Sequence, residues 1–263
     1  MADTLVPGKN FEKSSHHWGH WSTLGPFRLS TETTMKFYSL SLSYSGVPFE
    51  VFVNGFPVWE TENTEGGGGG CSLNMQLIGK GNKLHVKAGK REAGAYIRGS
   101  VRAAGEGDMI STDDAPQFEL GAGDTIDYNF DSDIAPFADL LAKLQPATDA
   151  QAREAAIKLR DLLKAGKLKE ALPAFRPKIE LYAAANGAPA DAMLSEFSGM
   201  LGQLKHAVDV GDDELMTRAY CDGRIHDVRR ASGKAFFHLK EDGGELSMPL
   251  FIGLIDGQPA VVV

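Results

Sequence analysis

The sequence predicts a multi-domain chain: an N-terminal all-β sandwich, then a C-terminal α+β domain of three helices and an antiparallel meander. Three observations carry this. Between positions 35 and 131 apolar residues alternate with a period of two, in short runs punctuated by glycine. After position 148 the period lengthens to that of an amphipathic helix, which Thr148 and Gln151 open with a capping-box pattern. From Leu215 the period returns to two, broken at Asp222-Gly223, Ser232-Gly233, Gly243-Gly244 and Asp256-Gly257. The expected division is a flexible tail over 1–34, a sandwich over 35–131, a linker over 132–148 with breakers Pro136 and Pro146, and an α+β domain over 149–263.

The tail holds Pro7, Gly8, Gly19, Gly25 and Pro26 and no sustained period. In the first strand Tyr38, Leu40, Leu42 and Tyr44 face one way, with Ser39, Ser41 and Ser43 between them. Phe49, Val51 and Val53 lead to Asn54-Gly55, and Phe56, Pro57, Val58 and Trp59 follow. Both turn residues tolerate the positive φ of a type I′ hairpin. Residues 60–70 are expected to form a loop, with Glu60, Glu62 and Glu65 followed by five consecutive glycines at 66–70, which lose much backbone entropy in regular structure. A phosphate cradle there would need a helix after the glycines and usually a Lys, but a strand-like run over 71–76 follows. Further strands are expected at 83–87, 95–102 and 125–130, separated by turns at 79–82 and 121–124.

The run from Phe49 through Val58, then Leu73 to Leu77, then Gly79-Lys-Gly-Asn-Lys-Leu-His-Val86, resembles the galactose-binding-like β-sandwiches that accompany many glycosidases. The resemblance spans about forty residues and implies the fold. The family's sugar-binding aromatics match no positions of this chain, so the ligand is not implied.

Past Asp133 an amphipathic stretch over 135–144 ends at Pro146. The first long helix places Ala152, Ala155, Ala156, Leu159, Leu162 and Leu163 on one stripe and stops at Gly166. A second is expected over 167–185, kinked near Pro173 and Pro177. A third begins near Pro189 and reaches His206 or beyond, on Met193, Leu194, Phe197, Leu201 and Leu204. In the meander Leu246, Met248, Leu250, Ile252 and Leu254 form one apolar face. Helices followed by a curved meander resemble the cystatin-like α+β cone of nuclear transport factor 2 and polyketide-cyclase-like proteins. That resemblance is one of topology over 149–263, and such folds serve enzymes, carriers and interaction domains alike.

Composition narrows the function. A net charge of −8 disfavours nucleic acid as a partner, because phosphate neutralisation needs surplus Lys and Arg. A basic protein partner suits that charge better. No apolar run reaches the 18–20 residues of a membrane span, and positions 1–8 lack the pattern of a secretory signal, so a cytoplasmic location is expected. Two distant cysteines, Cys71 and Cys221, read as buried thiols.

Candidate chemistry is sparse. His16, His17 and His20 stand among Trp18 and Trp21, but Gly19 argues against the helix that would make a metal site of them; an aromatic docking segment is the better reading. Asp127, Asn129, Asp131 and Asp133 imitate a calcium loop, but Ser132 and Ala138 stand where that loop needs Gly and Glu. A strand with Ile126, Tyr128 and Phe130 inward explains the run. Tyr220, His226, Asp227, Arg229 and His238 lie on the meander, where adjacent His226 and Asp227 should point to opposite sides. No cofactor or metal is expected. Seven bases against one acid occupy 80–102, and ten acids with no base occupy 103–142. These observations favour a non-catalytic recognition protein that binds another protein. An immunity-type inhibitor of a bacterial toxin would fit them, and Asp113, Asp114, Glu119, Trp59, Trp18 and Trp21 are the expected contact residues. A carbohydrate-binding accessory module and a small-molecule enzyme or carrier remain as alternatives.

Overall fold

The structure, a computed structural model, describes residues 16–17, 36–105, 117–204, 214–241 and 244–263. It is mostly β-sheet in the first half, with helices and strands in the second. Strands β1 (His16–His17), β2 (Phe37–Ser45), β3 (Phe49–Val53), β4 (Phe56–Thr61), β5 (Gly67–Ser72), β6 (Asn82–Ala88), β7 (Tyr96–Ala104), β8 (Gln117–Glu119) and β9 (Thr125–Phe130) build two antiparallel sheets. One runs β1-β4-β3-β6-β9 and the other β5-β2-β7-β8. Their inner faces share a core that includes Leu40, Leu42, Val51, Val53, Val86 and Ile97.

Local chemistry accounts for most of these strands. Asn54 and Gly55 turn the β3–β4 hairpin with φ of 53° and 79°, as their residue types predict. Asn82 is fully buried and fully satisfied. Its Oδ1 accepts from Ile78 N–H and from Asn54 Nδ2, while its Nδ2 donates to the Gly79 carbonyl and to Ser132 Oγ. In β9 Ile126 is buried and Asp127 and Asn129 are exposed, the alternation expected of a solvated strand.

Three sequence expectations need correction. The glycine run is no loop: Gly67–Ser72 pairs with Ser39–Tyr44 of β2 in unbroken register. A glycine strand costs backbone entropy, but here a nine-residue neighbour supplies a full ladder. The run over 71–76 is split, with Asn74–Gln76 forming a 3₁₀ turn after β5 ends. The segment expected as a tail contributes β1, whose backbone pairs with Glu60 and Trp59 of β4.

The stretch 132–148, expected as a linker, carries helix α1 (Pro136–Lys143) and strand β10 (Leu144–Gln145). Phe137, Leu140 and Leu144 are buried in the first core. Helix α2 (Asp149–Lys164) has the reciprocal capping box between Thr148 and Gln151 that the sequence predicts. Helix α3 (Leu168–Asn186) runs unbroken through Pro173 and Pro177 and ends at left-handed Gly187. Helix α4 (Ala190–Leu204) follows; its expected extension to His206 lies outside the described residues.

The meander contains β11 (Leu215–Tyr220), β12 (Ile225–Arg230), β13 (Phe237–Glu241), β14 (Gly244–Met248), β15 (Leu250–Ile255) and β16 (Gln258–Val261). It forms two sheets. Strands β13 and β14 make a hairpin of their own, and Pro249 separates them from a sheet ordered β10-β15-β12-β11, with β16 also on β15. The apolar face expected from Leu246 to Leu254 is thus shared between two sheets. Side chains of the larger one divide by parity. Val228, Leu250, Ile252 and Val261 join helices α2 to α4 in a second core. Tyr220, Ile225, Phe251 and Val262 join the first core instead. The C-terminal sheet is therefore a middle layer, with helices on one side and the N-terminal sheets on the other. Phe56 packs on Phe137 and Phe251 at 5.9 and 4.7 Å, and Phe52 on Tyr220 at 6.2 Å.

Candidate functional site

The two halves meet along a seam of charge. Glu50 of β3 and Glu60 of β4 are cross-strand partners. Arg218 of β11 pairs with Glu50 and comes within 3.9 Å of Glu60. Arg229 of β12 pairs with Asp227 and lies 3.4 Å from Glu60. The Arg218 guanidinium also sits 5.4 Å from the ring centroid of Tyr220. Asp227 is fully buried, and its Oδ1 has no hydrogen-bond partner among the described residues. Burial pushes its carboxyl above the usual aspartate range, while Arg229 pulls the other way. Burial likewise pushes the Tyr220 phenol up to about 12.

His226 points away from this seam, as alternation predicts. Its Nδ1 lies 3.0 Å from Asp149, and its Nε2 lies 3.0 and 3.1 Å from the carbonyl oxygens of Ala147 and Gly223. It ties β12 to the start of α2. His226 and Asp227 therefore form no dyad, and His238 stands on the separate β13–β14 hairpin. Cys71 and Cys221, expected as buried thiols, are half-buried and free, and desolvation pushes both thiols up to about 12. Lys178 of α3 is also buried, and desolvation pulls its amine down to about 7. No group of His, Cys, Asp and Glu suited to a metal stands among the described residues. The seam joins the layers through its paired charges.

Of the expected contact residues, Glu119 and Trp59 lie among the described residues. Asp113, Asp114, Trp18 and Trp21 lie outside the described residues. Glu119 is exposed but pairs with Arg98 at 2.9 Å, and Asp124 with Arg91 at 3.5 Å, so part of the acidic block is matched by the basic one. Trp59 is corrected outright: it is 1% exposed, packed near Phe49 in the core. The cause is a register shift between Val51 and Phe52. Phe52 opposes Pro57 but Val51 opposes Trp59, so Val58 is the extra residue. Val58 and Trp59 then both lie opposite Val51 and both face inward. Simple alternation from Val58 would have turned the indole out.

The surface that sequence reasoning missed is the outer edge of β5. Gly67, Gly68, Gly69, Gly70 and Ser72 are exposed, and β5 ends its sheet, with β2 as its one partner strand among the described residues. Leu73 N–H donates to the Tyr38 carbonyl, one position beyond the Ser39–Ser72 pair. Period-two alternation then directs the amides of Gly67, Gly69 and Cys71 to β2, and those of Gly68, Gly70 and Ser72 outward. Edges are ordinarily blunted by charge, proline or a bulge. Three other terminal strands carry such groups, Glu119 on β8, Asp127 on β9 and Arg218 on β11, whereas β5 has none of them. The five glycines carry no preference that marks a strand, and the edge becomes visible only through its pairing with β2.

No protein-family model, curated protein or solved structure matches this chain.

Proposed function

We propose that this is a recognition protein that binds another protein by accepting an extended segment of it as a new strand beside β5. One observation carries the reading: an exposed edge with outward amides at Gly68, Gly70 and Ser72, and no side chain to obstruct approach over residues 67–70. Main-chain hydrogen bonds supply affinity in strand addition, and a bare glycine edge offers them without a steric penalty. The seam supports the same reading from the other side, since its charged groups are spent on joining the layers. The alternative of carbohydrate binding rests on the sandwich resemblance and on exposed aromatics such as Trp59, and it loses the second support because Trp59 stands inside the core.

Selection of a random peptide library against the immobilised protein tests the proposal. Enriched peptides should perturb the amide resonances of Gly68, Gly70 and Ser72. They should lose binding to Ser72→Pro, which removes one outward N–H and leaves the β2 ladder intact. Absence of enrichment, or binding indifferent to that substitution, overturns it.

A further inference from the structure

Resting on strand addition at β5, the kind of segment can be specified. We infer that the incoming strand runs antiparallel to β5, carries flat, bulky side chains at alternate positions, and has lysine or arginine at its C-terminal end.

Direction follows from the sheet. Every pairing around β5 is antiparallel, β2 with β5, β2 with β7 and β7 with β8. A segment that continues the pattern brings its C-terminal end to the turn that leads into β5.

Charge follows from what stands at that turn. Residues 60–79 hold three acids, Glu60, Glu62 and Glu65, and no base. Glu60 is committed to Arg218 and Arg229 in the seam. Glu62 and Glu65 are exposed. At the other end β5 runs into Leu73 and Asn74, both buried and uncharged. Within residues 60–79, a basic C-terminal end therefore stands toward the two acids Glu62 and Glu65, whereas a basic N-terminal end has no acid of this segment beside it.

Side-chain size follows from the glycines. An incoming residue opposite Gly67 to Gly70 finds backbone alone, so the contact area must come from its own side chain. On the inner face the Tyr44 ring lies so close to Gly67 that a Cβ there would stand 3.0 Å from its hydroxyl. On the outer face Ser41 and Ser43 lie beside Gly70 and Gly68. A flat ring can cover a glycine and reach these second-row side chains; a small residue cannot.

Three capped ten-residue peptides test the inference. All carry Tyr or Phe at alternate positions with Thr between. One ends in two lysines at its C-terminus, one begins with the two lysines, and one has serines in place of the aromatics with C-terminal lysines. At 50 mM salt the first should bind about fivefold tighter than the second, and the gap should close at 500 mM. The third should bind more weakly than the first at both salt concentrations. The double variant Glu62→Gln, Glu65→Gln should abolish the preference between lysine isomers while aromatic peptides still bind. Equal affinity of the two isomers, with Ser72→Pro still abolishing both, overturns the charge and direction and leaves strand addition standing. Serine peptides as tight as aromatic ones overturn the side-chain requirement. Failure of all three peptides, or indifference to Ser72→Pro, overturns strand addition itself. If Ser72→Pro does not fold, Gly68→Pro makes the same comparison.

Discussion

A single extra residue in β4 decides where the largest side chain of the sandwich goes. Period-two reading locates strands well, but it cannot register Val58 as an insertion, because a bulge is a property of the pair of strands. Trp59 was misplaced for that reason. Asn82, by contrast, sits in the Gly-Asn turn that the sequence singles out, and its four hydrogen bonds explain why that turn needs an amide side chain. Asp227 was legible as opposite in facing to His226, but Glu60 of β4, which shares Arg229 with it, was not, since it lies over 160 residues away. Its raised carboxyl has a definite linkage sign. The folded chain holds the proton more tightly than the unfolded chain, whose ordinary value is 3.8, so this group favours folding at acid pH. That contribution is lost as pH rises through the folded value. The melting temperature of wild type minus that of Asp227→Asn should be largest below the ordinary value of 3.8 and decline as pH rises above it. A difference that grows with pH would show that Arg229 dominates the site.

At the scale of elements, α2 was readable almost to the residue because its capping box is a local device. Strand β5 was unreadable from its own composition, since glycine has no preference that marks a strand and the ladder comes from β2. Gly99 of β7 illustrates how pairing overrides propensity. Alanine ordinarily improves a strand over glycine, yet a Cβ at Gly99 would stand 2.5 Å from both Leu42 Cδ2 and Phe118 Cζ. Gly99→Ala should therefore cost about 1–3 kcal/mol. Gly121→Ala, where nothing lies within 4 Å of the added atom, should stay within about 0.5 kcal/mol. Urea unfolding of the two variants side by side checks this, and equal stabilities would mean that the β2–β7–β8 core yields more easily than its packing implies.

Across the whole molecule, the change of period near residue 131 marks a change of layer. The first core draws Phe137, Leu181, Tyr220, Ile225 and Phe251 from beyond that point. Asn74 adds a direct stitch: its Oδ1 accepts from Tyr38 N–H, and its Nδ2 donates to the Ala185 carbonyl at the end of α3. Sequence periodicity reports which face of an element is buried, never what covers it, so two halves that share a core read as two domains. Fragments 35–133 and 147–263, expressed separately, should each lack a cooperative unfolding transition, while the intact chain unfolds in one step. A sigmoidal transition in either fragment would restore the division into independent units.

The central position of the β15–β12 layer has a consequence for how the molecule breathes. Four successive residues are buried in each of these strands, Ile225 to Val228 and Leu250 to Gly253, because both of their faces are covered. Solvent can reach their amides only when helices or sandwich lift away, so their exchange with deuterium requires an opening close in free energy to complete unfolding. The outward amides of Gly68 and Gly70 need no opening at all. Protection should therefore fall from the buried middle sheet to the bare rim, and the most persistent structure in the chain lies where its two halves meet.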